Sequence, residues 1–510
     1  MARALNQAVE RVQRKAVEVW GGLPAPWRHI AVGAGAGLLF AFAMTKQIYF
    51  GIALALLIGG VGALLFEPVA VVYAVILLMP MNWITVLGRN LKATTVLVLP
   101  AFAYAIFLVL FKKERVREPL VWAYLVFVGV WFLSLLNAID VSWSLFYIKV
   151  PLFSYCFAFA MLVFIKSTDQ LKVVWWILAL HGIWLSVLAI LQSIGGAPYY
   201  PLVRRGLVDE SLLHYYKVAG LFRASGTFET GPRFALFLLI PFSLAVARSI
   251  DLKRTIMARI FWMSATALIL IGLLLSLTRA VFVVVPLISY IVFRKLGRSK
   301  LLLRMVLYLL AIAALTAIVS VWLLPSEVGR ALGHRFAPSG TSFYMDRVYF
   351  MYIAFRAFLE HPLLGVGIGN FPMVSWGLMQ KYPVFWYAPF WDVNPLAFRE
   401  HISVHNSYVR ILAETSVWGL GAMIAIIVLA FRNYARALKR LEGTSIYPSA
   451  VAMFACFVGM VIYWFPHEYF IEETYTSVFV IAMSAVLKKL ADRYEGSGSM
   501  DASSRSQMMR

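Results

Sequence analysis

Apolar runs of near-membrane length recur along the whole chain, at about residues 29–45, 49–66, 68–88, 94–111, 119–137, 145–165, 173–194, 232–248, 260–277, 280–293, 305–324, 415–431, 448–465 and 473–488. A helix of about 20 apolar residues crosses a hydrocarbon core while satisfying its own backbone. The runs therefore predict an all-α polytopic membrane protein with roughly fourteen crossings, or about twelve or thirteen if Pro68 or Pro100 breaks a helix. Composition points the same way. With 62% hydrophobic and 14% charged residues in 510, and a mean hydropathy of +0.80, one soluble core cannot hide the apolar surface.

The net charge of +22 would indicate nucleic acid in a soluble protein. Here the cations fall between apolar runs, in KKERVR (112–117), Lys166 and Lys172, RSIDLKRTIMAR (248–259), RKLGRSKLLLR (294–304) and RNYARALKR (432–440). That alternation is the pattern of cytoplasmic loops, so nucleic acid is not an expected partner. Both termini are then expected in the cytoplasm and the stretch after Pro325 outside. The expected organisation is a basic cytoplasmic segment at 1–28, with no cleavable signal, and transmembrane helices over 29–324 with a smaller outer loop at 195–231. A large outer loop at 325–407, C-terminal transmembrane helices at 408–490 and a disordered tail at 491–510 complete it. Within 1–28, the spacing of Ala4, Val9, Val12 and Val17 predicts a short surface helix. Cys156 and Cys456 both sit inside apolar runs, which favours buried hydrophobes over a disulfide or a metal site.

The two outer loops carry arginines where outward placement disfavours them: Arg204, Arg205 and Arg223 in the first, Arg330, Arg335, Arg347, Arg356 and Arg399 in the second. Long loops translocate largely regardless of charge; an anionic ligand is the sharper reading, because the guanidinium fork grips phosphate oxygens bidentately. Arg279 lies in LLLSLTRAVFVVVPL, at a sharp turn between two apolar runs, where it either snorkels to headgroups or faces the bundle interior as a functional charge. Arg223 opens RASGTFETGPRF, which leads into a helix near Pro232 whose free amides would add to an anion site.

Residues 343–361 place Tyr344, Val348, Met351, Phe355 and Phe358 at the spacing of one helical face, predicting an amphipathic helix along the outer interface. HPLLGVGIGNF (361–371) follows a helix rather than a strand, so its Gly365, Gly367 and Gly369 predict a tight re-entrant turn and not a nucleotide loop. The run 376–391 reads as an interfacial aromatic belt.

His405 immediately precedes the helix expected from about Tyr408, which hangs its imidazole at the bundle mouth, where a neutral histidine takes a proton from a hydroxyl near physiological pH. His401 lies four residues earlier, so a two-histidine metal site is the competing reading, although no third ligand stands at a fixed spacing. Arg410 and Glu414, four apart, predict a mutual ion pair. In HEYFIEE (467–473) the charges read as an ordinary acidic loop.

RASGTF (223–228), the TR turn (278–279), Arg347 and Arg356 before HPLLGVGIGNF, and HNSYVRILAETSVWGL (405–420) together resemble the O-antigen ligase and polymerase superfamily, over about residues 220–432. The resemblance implies a GT-C-like membrane glycosyltransferase performing inverting, metal-independent transfer on the outer face of a bacterial cytoplasmic membrane, without a cofactor. It implies an undecaprenyl-diphosphate-linked glycan as donor and a lipid A-core sugar or another lipid-linked glycan as acceptor, within membrane lipids. His405 falls on the family's general base and Arg223, Arg279 and Arg347 on its diphosphate-binding arginines, with Asn406, Arg410, Glu414 and His401 as possible support. Two departures stand out: ETGPRF replaces an Asn-containing turn, and Thr278 replaces a common Ser. Ligation to lipid A-core is the favoured reading, polymerisation of lipid-linked units the first alternative, and a lipid-glycan transporter or flippase the alternative of another class. Clustering of the charges at one face and the lack of a clear internal repeat count against transport.

Overall fold

The computed structural model describes residues 59–60, 62–64, 67–81, 85–87, 91–112, 116–200, 217–218, 221–298, 341–383, 403–468, 470 and 474–508. The expected spans at 29–45 and 305–324, most of that at 49–66, the 1–28 segment and His401 lie outside them. So do Arg204, Arg205, Arg330, Arg335 and Arg399. Seven described helices are long and apolar enough to cross a membrane: Thr94–Phe111, Pro119–Asn137, Val141–Phe164, Thr168–Gly195, Gly231–Ser249, Ile256–Leu275 and Ser407–Leu441. Val69–Met81 and Tyr447–Tyr463 are shorter apolar helices. The protein is an all-α polytopic membrane protein. Two short antiparallel pairs, Thr85–Leu87 with Leu91–Lys92 and Lys217–Val218 with Leu221–Phe222, are the described exceptions to helix.

The chain divides into two compact units, residues 1–118 with 153–177 and residues 119–152 with 178–510. In the first, α1 (Val69–Leu78) has Pro68 as its N-cap, and α2 (Ala93–Phe111) carries Pro100 inside it. Proline thus stands just before one helix, where no intrahelical amide bond is lost, and the other absorbs its proline without ending. Phe102 packs edge-on against Tyr155 and Phe159, at 6.1 and 5.6 Å, and the Tyr73 hydroxyl donates to the Gln170 carbonyl at 3.2 Å.

The second unit contains α3 (Pro119–Ser134), the first turns of α4 (Val141–Phe164) and the last turns of α5 (Thr168–Gly195). It continues with α6 (Gly231–Ser249), α7 (Ile256–Leu275), α8 (Val281–Lys295), α9 (Thr341–Glu360), α10 (Phe371–Lys381), α11 (Ser407–Leu441), α12 (Tyr447–Tyr463) and α13 (Thr474–Met508). Nearly every residue of α6 is buried, and it packs against α7 and α12; α11 lies along α3, α9 and α13. The last helix runs on past Asp492 to Met508, through the tail expected to be disordered, because extending a nucleated helix is cheaper than starting one.

α9 occupies the expected stretch and buries a second face beside the expected one. Tyr349, Phe350, Ile353, Ala354 and Ala357 are buried in a cluster with Val366, Phe371, Leu378, Val404 and Ala413. Val348 and Phe355, on the face expected along the outer interface, are 51% and 45% exposed and form a stripe with Tyr352 and Leu359. The helix is apolar on two sides, so spacing alone does not select one. The side carrying two alanines allows the closer approach to α11.

Candidate active site

One end of the second unit gathers five short pieces: the 223–231 turn, the 276–279 turn, the start of α9, the 403–407 cap and the 464–468 connection. Gln192, buried on α5, shapes the first. Its carbonyl oxygen accepts from the Ser225 and Gly226 amides at 3.1 and 2.8 Å, and its amide donates to the Gly226 carbonyl at 2.6 Å. That leaves Arg223 reaching the second piece: Nε donates to the Ser276 carbonyl at 2.8 Å and a terminal nitrogen to Thr278 Oγ1 at 3.2 Å. Gly231 makes room for this contact, since a Cβ there would lie 2.7 Å from Arg223 Nε and 2.8 Å from the Ser276 oxygen. The ETGPRF departure thus has a local reason. Arg279, next along from Thr278, is exposed.

Arg347, in the second turn of α9, donates to the Pro466 carbonyl at 3.4 Å. Next in the chain is His467, buried and stacked on Tyr463 with ring centroids 4.7 Å apart. Burial drives the His467 imidazole down to about 3, and its electrostatic interactions with Arg347, His405 and Arg223 push in the same direction. Three of the residues singled out in the sequence therefore act electrostatically on one buried ring. His467 is neutral throughout the physiological range.

His405 is half-buried and its backbone has φ of +54°. Its amide donates to Glu468 Oε1 at 2.6 Å, and Ser403 Oγ donates to the same oxygen at 2.8 Å. With the Ser403 proton committed to Glu468, the hydroxyl oxygen is left to accept from His405 Nδ1, 3.4 Å away. This donor order fits the tautomer that carries its proton on Nδ1 and its lone pair on Nε2. Asn406 caps α11, its side-chain oxygen accepting from the Tyr408 and Val409 amides at 2.9 and 3.1 Å. Ser407 ties the cap to the 464–468 connection by donating from its amide and its hydroxyl to the His467 carbonyl, at 3.1 and 2.7 Å.

Arg410 and Glu414 pair at 3.2 Å, as their spacing predicts, but Arg410 also binds the second Glu468 oxygen and lies over the Tyr147 ring. All three charged groups are buried. Sequence reasoning missed Glu468 as the partner of His405, because 63 residues separate them and HEYFIEE looks like a solvated loop.

Below the cap, α11 breaks. Ser416 has φ 61° and ψ −166°, which interrupts the helical hydrogen bonds. The glycine turn repairs the gap: the Val366 amide donates to the Ala413 carbonyl at 3.0 Å and the Gly367 amide to the Glu414 carbonyl at 3.1 Å. Gly365, at φ +73°, is required because a Cβ would overlap the Glu414 carbonyl. Among the described residues, the non-glycine positions with positive φ are Leu277, His405 and Ser416, each in or beside one of these pieces.

A comparison with curated proteins gave no match. Residues 264–424, which include the 276–279 turn, Arg347, the glycine turn, His405 and the α11 break but not Arg223, His467 or Glu468, match the family model described as O-antigen ligase, consistent with the O-antigen ligase and polymerase superfamily.

Proposed function

We propose that the protein transfers a glycan from a polyprenyl diphosphate to an acceptor hydroxyl on the outer face of the cytoplasmic membrane, as an O-antigen ligase acting on lipid A-core. The family match supports membrane glycan transfer with lipid-linked substrates. The observation that carries the finer reading is the His405–Ser403–Glu468 chain, which holds the imidazole beside a site where Arg223 and Arg347 supply positive charge.

In this reading His405 Nε2 takes the proton of the acceptor hydroxyl as its oxygen attacks the anomeric carbon. The bond from that carbon to the diphosphate oxygen breaks, and the configuration inverts. The leaving diphosphate gains charge as it departs, and fixed guanidinium groups stabilise that charge most in the transition state. Arg223 and Arg347 serve this role, with Arg279 meeting the donor from the exposed turn beside Thr278. These cations take the part a metal would otherwise play.

The test is transfer by purified protein from a polyprenyl-diphosphate glycan to lipid A-core, without added metal. His405→Ala should lose turnover by about 10²–10⁴-fold, the usual worth of a general base, while retaining donor binding. Full activity in that variant removes the base assignment, and loss of wild-type activity on chelation restores the His401 and His405 metal reading. A single glycan on lipid A-core identifies ligation; a ladder of longer lipid-linked chains identifies the polymerase alternative.

A further inference from the structure

At the other end of the second unit, away from His405, the same helices surround a second site. α6, α8 and α11 terminate there, α7 and α12 begin there, and between their connections lies a cavity of about 820 Å³ lined by residues 250–255, 295–298, 442–445, 447 and 448 with Ala258. Lys253, Arg254, Lys295 and Arg298 line it, against Asp251 and Glu442.

Local structure accounts for part of this charge. Lys253 donates to the Gly443 carbonyl at 2.8 Å, and Arg254 Nε stands 3.4 Å from Asp251. Cations in last helical turns, such as Arg248 and Lys295, complement helix dipoles. Arg298 has no such task. The end of α8 is already closed by backbone, the Arg298 amide donating to the Phe293 carbonyl at 2.7 Å across Gly297 at φ +70°. Neither Lys295 nor Arg298 forms an ion pair among the described residues. Close to Arg254, the buried Arg248 donates to Ser449 at 3.0 Å while its Nε finds no hydrogen-bond partner.

We propose that this cavity binds a phosphate-bearing anion, with Lys295 and Arg298 as its principal ligands. The volume lies in the range of small-molecule sites and exceeds what one phosphate fills, leaving space for the glycerol of a lipid headgroup. Leu252, on the cavity wall, and the adjacent Ile256 and Met257 are 55%, 69% and 74% exposed, offering an apolar margin for acyl chains. The distribution of Lys and Arg along the chain assigns this end to the cytoplasmic face, where anionic headgroups are met. The site does not depend on the glycan-transfer reading.

Native mass spectrometry of the full chain, released from nanodiscs of phosphatidylglycerol or of phosphatidylcholine, tests it. Wild-type protein should retain phosphatidylglycerol in preference to phosphatidylcholine. The Lys295→Gln/Arg298→Gln variant should retain it roughly 30-fold less well, from about 1 kcal/mol for each cation near an anionic headgroup. The charge-conserving Lys295→Arg/Arg298→Lys variant should keep the lipid. Inorganic phosphate, titrated into phosphatidylcholine nanodiscs, separates the sources: a saturable rise in thermal midpoint confined to wild type identifies a soluble ligand. Equal retention of the two lipids without that rise, undiminished retention in the Gln variant, or loss in the charge-conserving variant overturns the proposal.

Discussion

Glu468 accepts the His405 amide at 2.6 Å on one carboxylate oxygen and the Arg410 guanidinium on the other, so the candidate base and a buried cation hang from a single side chain. A histidine at φ +54° needs its surroundings to hold it there, and this carboxylate is the hold.

Replacing Glu468 by Ala should therefore damage fold and chemistry together. Removing one partner of a buried ion pair costs about 3–5 kcal/mol, and Arg410 would lose one of its two carboxylate partners, Glu468, and keep the other, Glu414. Thermal unfolding of the purified protein should show a much lower midpoint. Glu468→Gln retains an oxygen for the His405 amide and should be milder in stability, with the pH dependence of turnover displaced because the Ser403 relay no longer ends on a charge. Wild-type stability in the Ala variant together with an unmoved pH profile in the Gln variant would remove Glu468 from this role.

Gly231→Ala disturbs Arg223 without removing its charge. Gly231 has an ordinary backbone conformation, so the added methyl introduces no φ strain; it meets Arg223 Nε and the Ser276 carbonyl instead. The expected result is a donor KM raised by roughly ten-fold, the worth of one displaced charge-assisted hydrogen bond, with a lower thermal midpoint because the Ser276 and Ala224 carbonyls are backbone and must shift. An unchanged donor KM would detach Arg223 from the diphosphate.

His467 fixes an acid limit. Its pKa falls from 6.5 to about 3 in the folded protein, so the unfolded chain binds the extra proton first. The stability of the neutral, buried ring is fully present above about pH 6.5 and is lost as pH falls from there toward 3, at about 1.4 kcal/mol per unit. Melts at pH 7 and pH 5 should fall further apart in wild type than in His467→Gln. Equal pH dependence in both proteins would show that the ring is not buried in its neutral form.

Much of this architecture is legible in the amino-acid sequence. Membrane-length apolar runs locate the helices because lipid demands them, and the i, i+4 spacing of Arg410 and Glu414 gives their pair. The close backbone approach at the glycine turn is also readable, since three glycines in five residues have little other use. The buried face of α9 is not readable, because apolar residues cover both sides of that helix. Glu468 and His467 are hidden by sequence distance: their roles exist only where α11 and α12 meet. The break at Ser416 leaves no trace either, as ETSVWG holds neither a proline nor a glycine at the point of rupture.

That break makes the last prediction. Ser416 sits at φ 61°, ψ −166°, a region essentially reserved for glycine and worth about 1–3 kcal/mol of strain in other residues. Its hydroxyl offsets part of this by donating to the Pro362 carbonyl, which ties the break to the glycine turn. Ser416→Gly relieves the strain but forfeits the bond, worth about 1 kcal/mol, so the midpoint should hold or rise by a few degrees. Ser416→Ala forfeits the same bond and keeps the strain, so it should fall. The two variants differ by one methyl group, and their separation measures the strain itself. If Gly is the less stable, the break is not strained, and the short first segment of α11 that carries the His405 cap is instead held in place by the ordinary packing of α9 against it.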